Sequence, residues 1–243
     1  MMFRFIDSPG LFPATIRHVS ATFHPDLWNS VAPDEAEACQ SAIEHSVPRR
    51  RSEYVAGRRC AVRALELSHL QAPLHVGTVG RRADRSPIWP AGRVGSITHT
   101  GSYAAAAVSG CDRVRSVGID SEILLGREHA ADLGSFMGSD EEIRRAATAF
   151  GCRRLGITVL FSAKESLFKC LFPVVAVLFD FPDVQLIDAD AAQGTVTLEV
   201  RSVLGPEFTP GWRAVGSVRL DLPYVHTGFL LPRAAGFSIE GAR

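Results

Sequence analysis

Ser116-Val-Gly-Ile-Asp-Ser-Glu122 and Phe161-Ser-Ala-Lys-Glu-Ser-Leu-Phe-Lys169 are the two stretches on which the reading of this chain turns. Val117, Gly118 and Ile119 read as the end of a short buried strand. Residues two apart on a strand face the same way, with Cα atoms about 6.5–7 Å apart. Asp120 and Glu122 therefore aim at one point, while Ser121 turns aside. Two carboxylates converging at the end of an apolar strand repel each other unless a cation lies between them. Oxygen-only donors favour a hard ion, Mg²⁺ before Zn²⁺. Taken alone, the pair would equally suit an exposed strand end with two solvated acids.

The second stretch narrows the choice. From Ile157 the apolar residues Leu160, Phe161, Leu167, Phe168 and Leu171 fall at helical spacing. Lys164 projects from the middle of that stripe, and Glu165 and Lys169 share its edge. A lysine at the centre of a buried face either lets its ammonium snorkel out or reaches an anion at the end of the core. A lone Lys-Glu with a further lysine one turn on is commonly a surface ion pair. Here it adds a third carboxylate and two cations to the acids of the strand. Carboxylates for Mg²⁺ and lysines for phosphate are the chemistry of a pyrophosphate-bearing substrate.

Three upstream blocks complete the pattern in order: Ala56-Gly-Arg-Arg-Cys60, Arg85-Ser-Pro-Ile-Trp-Pro90, and Gly95-Ser-Ile-Thr-His99 with Gly101 after it. Together the five blocks resemble the signature motifs of 4′-phosphopantetheinyl transferases. The similarity is to the larger single-chain class that serves siderophore, polyketide and peptide synthetases, and runs from about residue 50 to about residue 183. The resemblance implies that Asp120, Glu122 and Glu165 bind Mg²⁺ together with the pyrophosphate of coenzyme A. Lys164 and Lys169 would contact that pyrophosphate or charge developing on it, and Arg58, Arg85, Thr98 and His99 would contact coenzyme A phosphates. The implied reaction moves the phosphopantetheine arm onto a serine of an acyl, peptidyl or aryl carrier protein and releases adenosine 3′,5′-bisphosphate. Glu165 is the candidate base for the serine proton, with a water on the metal as the alternative. Carrier proteins of this kind present an acidic helix, and the segment Gly126–Gly138 is the expected docking region. Val62 stands where the family often has a second arginine.

The implied fold is α+β: two pseudo-symmetric halves, each a small antiparallel sheet packed on a long helix, with the active site in the cleft between them. Patterning along the chain agrees. A strand near Thr15–Phe23, a short helix near Asp34–His45, a long helix near Arg51–Leu70 and strands near Val94–Thr98 and Tyr103–Val108 make up the first half, residues 1–112. Residues 113–243 open with a strand near Val114–Asp120, followed by a helix begun by the capping box Ser139-Asp-Glu-Glu142 and ended near Phe150. A helix over Thr158–Leu171 and strands near Thr195–Val200, Arg213–Leu220 and Tyr224–Leu230 complete it. On the first long helix Arg58 lies near the centre of the apolar arc formed by Tyr54, Val55, Ala61, Val62 and Leu65, so it should meet a buried carboxylate or a ligand phosphate.

Composition bounds the rest. In 243 residues, 26 basic and 26 acidic side chains cancel, so no global field draws the chain to nucleic acid or to a membrane surface. Cys39, Cys60, Cys111, Cys152 and Cys170 are odd in number and scattered, which argues against a disulfide framework and fits a cytoplasmic protein. The N-terminus lacks a signal-peptide core, and the apolar run Leu171–Phe179 is too short to span a bilayer. A monomer is expected. P-loop, dinucleotide and serine-hydrolase motifs are absent, because His99 stands where a nucleophile elbow after Gly95-Ser96 would need its second glycine. Two rival functions remain: a metal-dependent phosphoester hydrolase using the same three acids, and a non-catalytic carrier-binding module.

Overall fold

Strand alternation and helical spacing resolve into two α+β units in the computed structural model, which describes residues 1–68, 79–112 and 114–233. One unit comprises Met1–Ser8 and Phe12–Val117 with the chain from Pro232, and the other Pro9–Leu11 and Gly118–Leu231. The division thus falls inside a strand, between Val117 and Gly118, rather than at residue 112.

The first unit contains β1 (Phe3–Ile6), β2 (Arg17–Phe23), α1 (Pro33–Ile43), α2 (Pro48–Ser68), a small hairpin of β3 (Gly80–Arg81) and β4 (Pro87–Ile88), then β5 (Arg93–Thr100) and β6 (Tyr103–Gly110). Its four-stranded antiparallel sheet has the order β1-β2-β6-β5. Helix α2 lies on this sheet because both surfaces are made of small side chains. Val55, Ala56, Cys60, Ala61 and Ala64 from the helix meet Ala104, Ala106 and Val108 from the strand, and all are buried. The close approach lets the Cys60 thiol donate to Ala104 O at 3.6 Å, and burial pushes that thiol up to about 12. The expected end of the helix at Leu70 lies outside the described residues.

The second unit runs β7 (Val114–Ile123), α3 (Arg127–Met137), α4 (Asp140–Phe150), α5 (Arg153–Val175), a 3-10 turn (Phe181–Asp183), β8 (Val184–Asp190), β9 (Thr195–Val200), β10 (Arg213–Asp221) and β11 (Tyr224–Pro232). The five strands are ordered β7-β11-β10-β9-β8. Helix α4 opens with the capping box read from the sequence: Glu142 N donates to Ser139 Oγ at 3.3 Å, and Ser139 N to Glu142 Oε2 at 2.9 Å. It closes at Gly151, whose φ of 85° is the left-handed conformation that glycine adopts without strain. Helix α5 is the long element of this unit. Ile157, Leu160, Leu167 and Leu171 join Ile143 and Phe150 of α4 and Leu186, Leu198 and Phe229 of the sheet in one core. Each fully buried leucine or isoleucine there stabilises the fold by about 1.5–3 kcal/mol relative to exposure. The helix passes Pro173 and ends two residues later, beyond the expected stop at Leu171. A proline this close to the C-terminus removes only one backbone hydrogen bond. Strands β1 and β8, the β3–β4 hairpin and helix α3 are additions to the sequence reading. No described helix is long and apolar enough to cross a membrane.

Candidate active site

Gly118 sets the spacing between β7 and α5. A Cβ at this position would lie 2.0 Å from Ser166 O and 2.5 Å from Cys170 N, so only glycine admits the strand so close to the helix backbone. Strand alternation then directs Asp120 and Glu122 to the same face as Gly118. Asp120 is 3% exposed, and Lys169 Nζ donates to its Oδ1 at 2.6 Å. Partial burial alone would pull the Lys169 pKa down. The Asp120 carboxylate, by charge and hydrogen bond, outweighs it with help from Glu165 and Glu122, and the net shift is upward. Glu165 is shifted upward as well, by burial first, against the pull of Lys169 and reinforced by Asp120 and Asp180.

The structure therefore brings Asp120, Glu122, Glu165 and Lys169 into one electrostatic group. Its donors are hard carboxylate oxygens, which suit Mg²⁺. Among the described residues no three histidine, cysteine or acidic side chains are gathered tightly enough to ligate one ion as they stand. Lys169 supplies the positive charge that the acids share.

Lys164 is placed differently from the expected pyrophosphate contact. Its side chain is 1% exposed, and Nζ lies 2.9 Å from Glu142 Oε1. It also donates to Met137 O at 2.7 Å and to Phe181 O at 2.9 Å. An ammonium has three protons, and these three acceptors take them. Burial lowers its pKa, with Glu142 opposing. Beside it a pocket of about 140 Å³ is lined by Lys164, Glu165, Phe168, Phe179, Asp180, Phe181 and Val184. Three phenylalanines thus face three charged side chains, Lys164, Glu165 and Asp180, with Glu165 the member of the acid group.

Strand β11 ties the acid-bearing strand and helix together. Thr227 Oγ1 donates to Ser162 O at 2.8 Å and shares hydrogen bonds with the hydroxyls of Ser162 and Ser166 at 2.8 and 2.9 Å. The neighbouring His226 shares a bond of 2.9 Å with Ser121 Oγ, the residue between the two acids of β7. Burial, against the attraction of Asp221 and Asp120, lowers the His226 pKa to about 4. The folded imidazole is then neutral where the unfolded one, near 6.5, has begun to bind a proton. Stability should fall as pH drops from 6.5 to about 4, by on the order of 3 kcal/mol. Unfolding free energies measured across that window should be flatter for His226→Gln than for the wild type; parallel curves would contradict this.

On the first unit, Thr98 is buried on β5 and His99 follows it, half-exposed. Arg50 Nη1 lies 2.7 Å from His99 Nε2, and Glu53 Oε2 lies 3.6 Å from His99 Nδ1. Arg58 is 7% exposed and stacks on the Tyr54 ring at 4.5 Å; its Nε has no hydrogen-bond partner among the described residues. Among the described residues no carboxylate bonds it. It lines a pocket of about 670 Å³ with Phe3, Glu35, Arg59 and Val62, where Arg59 makes a bidentate pair with Glu35. Arg85 sits in the exposed β3–β4 turn at a φ of 71°.

Sequence reasoning missed Arg50 and Glu53 beside His99, Glu142 as the partner of Lys164, and the roles of Thr227 and His226. One signal was present: Ser162 and Ser166 are hydroxyls one helical turn apart on a buried face, which need a polar partner.

Comparison with known proteins assigns the chain. A family model for the 4′-phosphopantetheinyl transferase N-terminal domain matches residues 38–109, and one for the 4′-phosphopantetheinyl transferase superfamily matches residues 116–222, the span that holds the acid group. The chain belongs to this superfamily. The transferase is 32% identical over 212 residues to the 4′-phosphopantetheinyl transferase Svp of Streptomyces mobaraensis, covering 86% of this chain and 78% of the relative. It is 36% identical over 166 residues to the 4′-phosphopantetheinyl transferase Npt of Nocardia iowensis, covering 65% and 71%. With enterobactin synthase component D of Escherichia coli O157:H7 it shares 31% identity over 161 residues, covering 63% and 74%. The chain is thus a transferase that places the 4′-phosphopantetheine group on carrier proteins, and its family takes that group from coenzyme A.

Proposed function

We propose that this transferase is Mg²⁺-dependent and that Asp120, Glu122 and Glu165 hold the ion together with the pyrophosphate of coenzyme A. The observation that carries the reading is the convergence of these acids on the Lys169 ammonium, 2.6 Å from Asp120 Oδ1. Acids that share one cation in the free protein can exchange it for a more highly charged one. Bound there, Mg²⁺ would neutralise the pyrophosphate and polarise the phosphorus–oxygen bond. Lys169 would then be released from Asp120 to donate to the pyrophosphate or to charge on the migrating phosphoryl group. The serine hydroxyl of an acyl, peptidyl or aryl carrier attacks the phosphorus next to the pantetheine arm. Its proton passes to Glu165 or to a water beside it, and the bond to the bridging oxygen breaks to leave adenosine 3′,5′-bisphosphate.

Arg58, Arg85, Thr98 and His99, with Arg50 added from the structure, are proposed to take coenzyme A phosphates. Arg58 fits this role because it is buried with an unpaired Nε. The carrier is proposed to dock on α3, where Phe136 is 76% exposed. A cytoplasmic monomer is the proposed form, in keeping with free cysteines among the described residues.

The test is the intact mass of an apo-carrier protein after incubation with coenzyme A. A gain of one phosphopantetheine with Mg²⁺, and none with EDTA, is expected. Transfer undiminished by EDTA would overturn the metal assignment. Coenzyme A hydrolysis without transfer would favour a phosphoester hydrolase.

A further inference from the structure

Lys164 is charged, buried and turned away from the acid group, although the next residue in the helix, Glu165, belongs to that group. Its three acceptors come from three different segments. Met137 O is at the last residue of α3, where helix carbonyls lack intrahelical partners and the helix dipole favours a cation. Phe181 O belongs to the 3-10 turn that walls the pocket beside Glu165. Glu142 is in α4 and is itself fixed: its Oε1 also accepts from Leu186 N, and its Oε2 from Ser139 N, both at 2.9 Å.

Packing alone does not call for this arrangement. A buried ion pair is seldom more stable than apolar side chains of the same volume, and its benefit, where it has one, is to fix geometry. What it fixes here is specific. The ammonium joins the carbonyl end of α3 and the Phe181 turn to α5, one residue from Glu165. Phe181 of the turn packs on Phe161 of α5 with ring centroids 5.8 Å apart, and Phe179, two residues before it, on Phe168 of α5 at 5.1 Å.

We propose that Lys164 is a positioning residue, not a phosphate ligand: anchored on Glu142, it holds the end of α3 and the Phe181 turn against α5 and so shapes the pocket beside Glu165. The proposal rests on the function proposed above, since the placement of Glu165 matters only if it acts in the transfer.

The test compares wild type, Lys164→Met, and the double variant Glu142→Gln/Lys164→Met. Melting temperature, coenzyme A affinity by calorimetry, turnover at saturating carrier, and amide hydrogen exchange over residues 179–186 are measured on each. Lys164→Met leaves Glu142 buried without its cation and should melt lower. The double variant removes both charges and should recover part of the melting temperature; glutamine can accept from only one of Leu186 N and Ser139 N. It still lacks a donor for Met137 O and Phe181 O, so turnover should stay roughly tenfold or more below wild type, with faster exchange over 179–186. Its coenzyme A affinity should remain within about twofold of wild type, because no phosphate contact is lost.

A roughly tenfold loss of coenzyme A affinity in the double variant would overturn the proposal in favour of a pyrophosphate contact. Recovery of turnover along with melting temperature would overturn it in favour of a role in stability alone. Failure of the function reading looks different, because the wild type itself would then transfer nothing.

Discussion

Asp120→Asn should lower turnover by roughly a hundredfold or more while leaving a folded protein. The substitution keeps the shape of the side chain and one carbonyl oxygen for Lys169. It removes a full negative charge from the group that also contains Glu122 and Glu165. In the free protein the loss is moderate: Lys169 keeps the other two acids as electrostatic partners, and its side chain is 28% exposed to solvent. The cost to stability is then about 1 kcal/mol, the ordinary scale for a weakened hydrogen bond. In the proposed reaction the loss is larger, because the missing charge would be a ligand charge for the ion that neutralises the pyrophosphate. Melting curves and turnover at saturating coenzyme A and Mg²⁺ check the two halves of this expectation. Activity within a few-fold of wild type would remove Asp120 from the site.

Gly118→Ala should have the largest effect on stability of any single methyl group in the second unit. The added Cβ would meet Ser166 O at 2.0 Å and Cys170 N at 2.5 Å, and both are backbone atoms of α5 that no rotamer change can move aside. Strand or helix must shift. Overpacking of this kind typically costs about 1–3 kcal/mol, which for a chain of this size is a fall in melting temperature of roughly 2–12 °C. The shift also separates Asp120 and Glu122 from Glu165, so turnover should fall further than stability. Gly126→Ala is the control, because nothing lies within 4 Å of a Cβ there. Equal melting temperatures for the two variants would show that the β7–α5 spacing is not set by residue 118.

The sequence revealed what local patterns encode. The strand ending in Asp120-Ser-Glu122 was visible because apolar residues precede acids at alternate positions. The α5 helix was visible from its 3.6-residue period, and the Ser139–Glu142 cap from a four-residue motif. Elements with weaker signals were missed for identifiable reasons. In β8 the alternation of Val184 and Leu186 is broken by a bulge before Asp188, so the run does not read as a strand. Helix α3 holds Gly134 in its interior and lacks a side-chain cap, so neither propensity nor a start signal marks it. The helix expected to end at Leu171 runs on through Pro173 to Val175, because proline is tolerated in a final turn.

The site shows the same limit. Glu165 and Lys169 could be assigned to one edge of a helix from spacing alone. Lys164 could be assigned to the buried stripe, but not to its partner, because Glu142 already had a complete local explanation as a cap. Long-range pairings such as Ser121 with His226 have no local signature at all.

The central claim is that the three acids bind a divalent ion together with the substrate's pyrophosphate. Calorimetric titration of coenzyme A into the wild type and the Asp120→Asn variant, each with and without Mg²⁺, tests it most directly. The account predicts that Mg²⁺ tightens coenzyme A binding roughly tenfold or more in the wild type, about 1.4 kcal/mol or above. It predicts little or no tightening in the variant. Equal tightening in both proteins would contradict the assignment of Asp120 and its neighbours as the metal site.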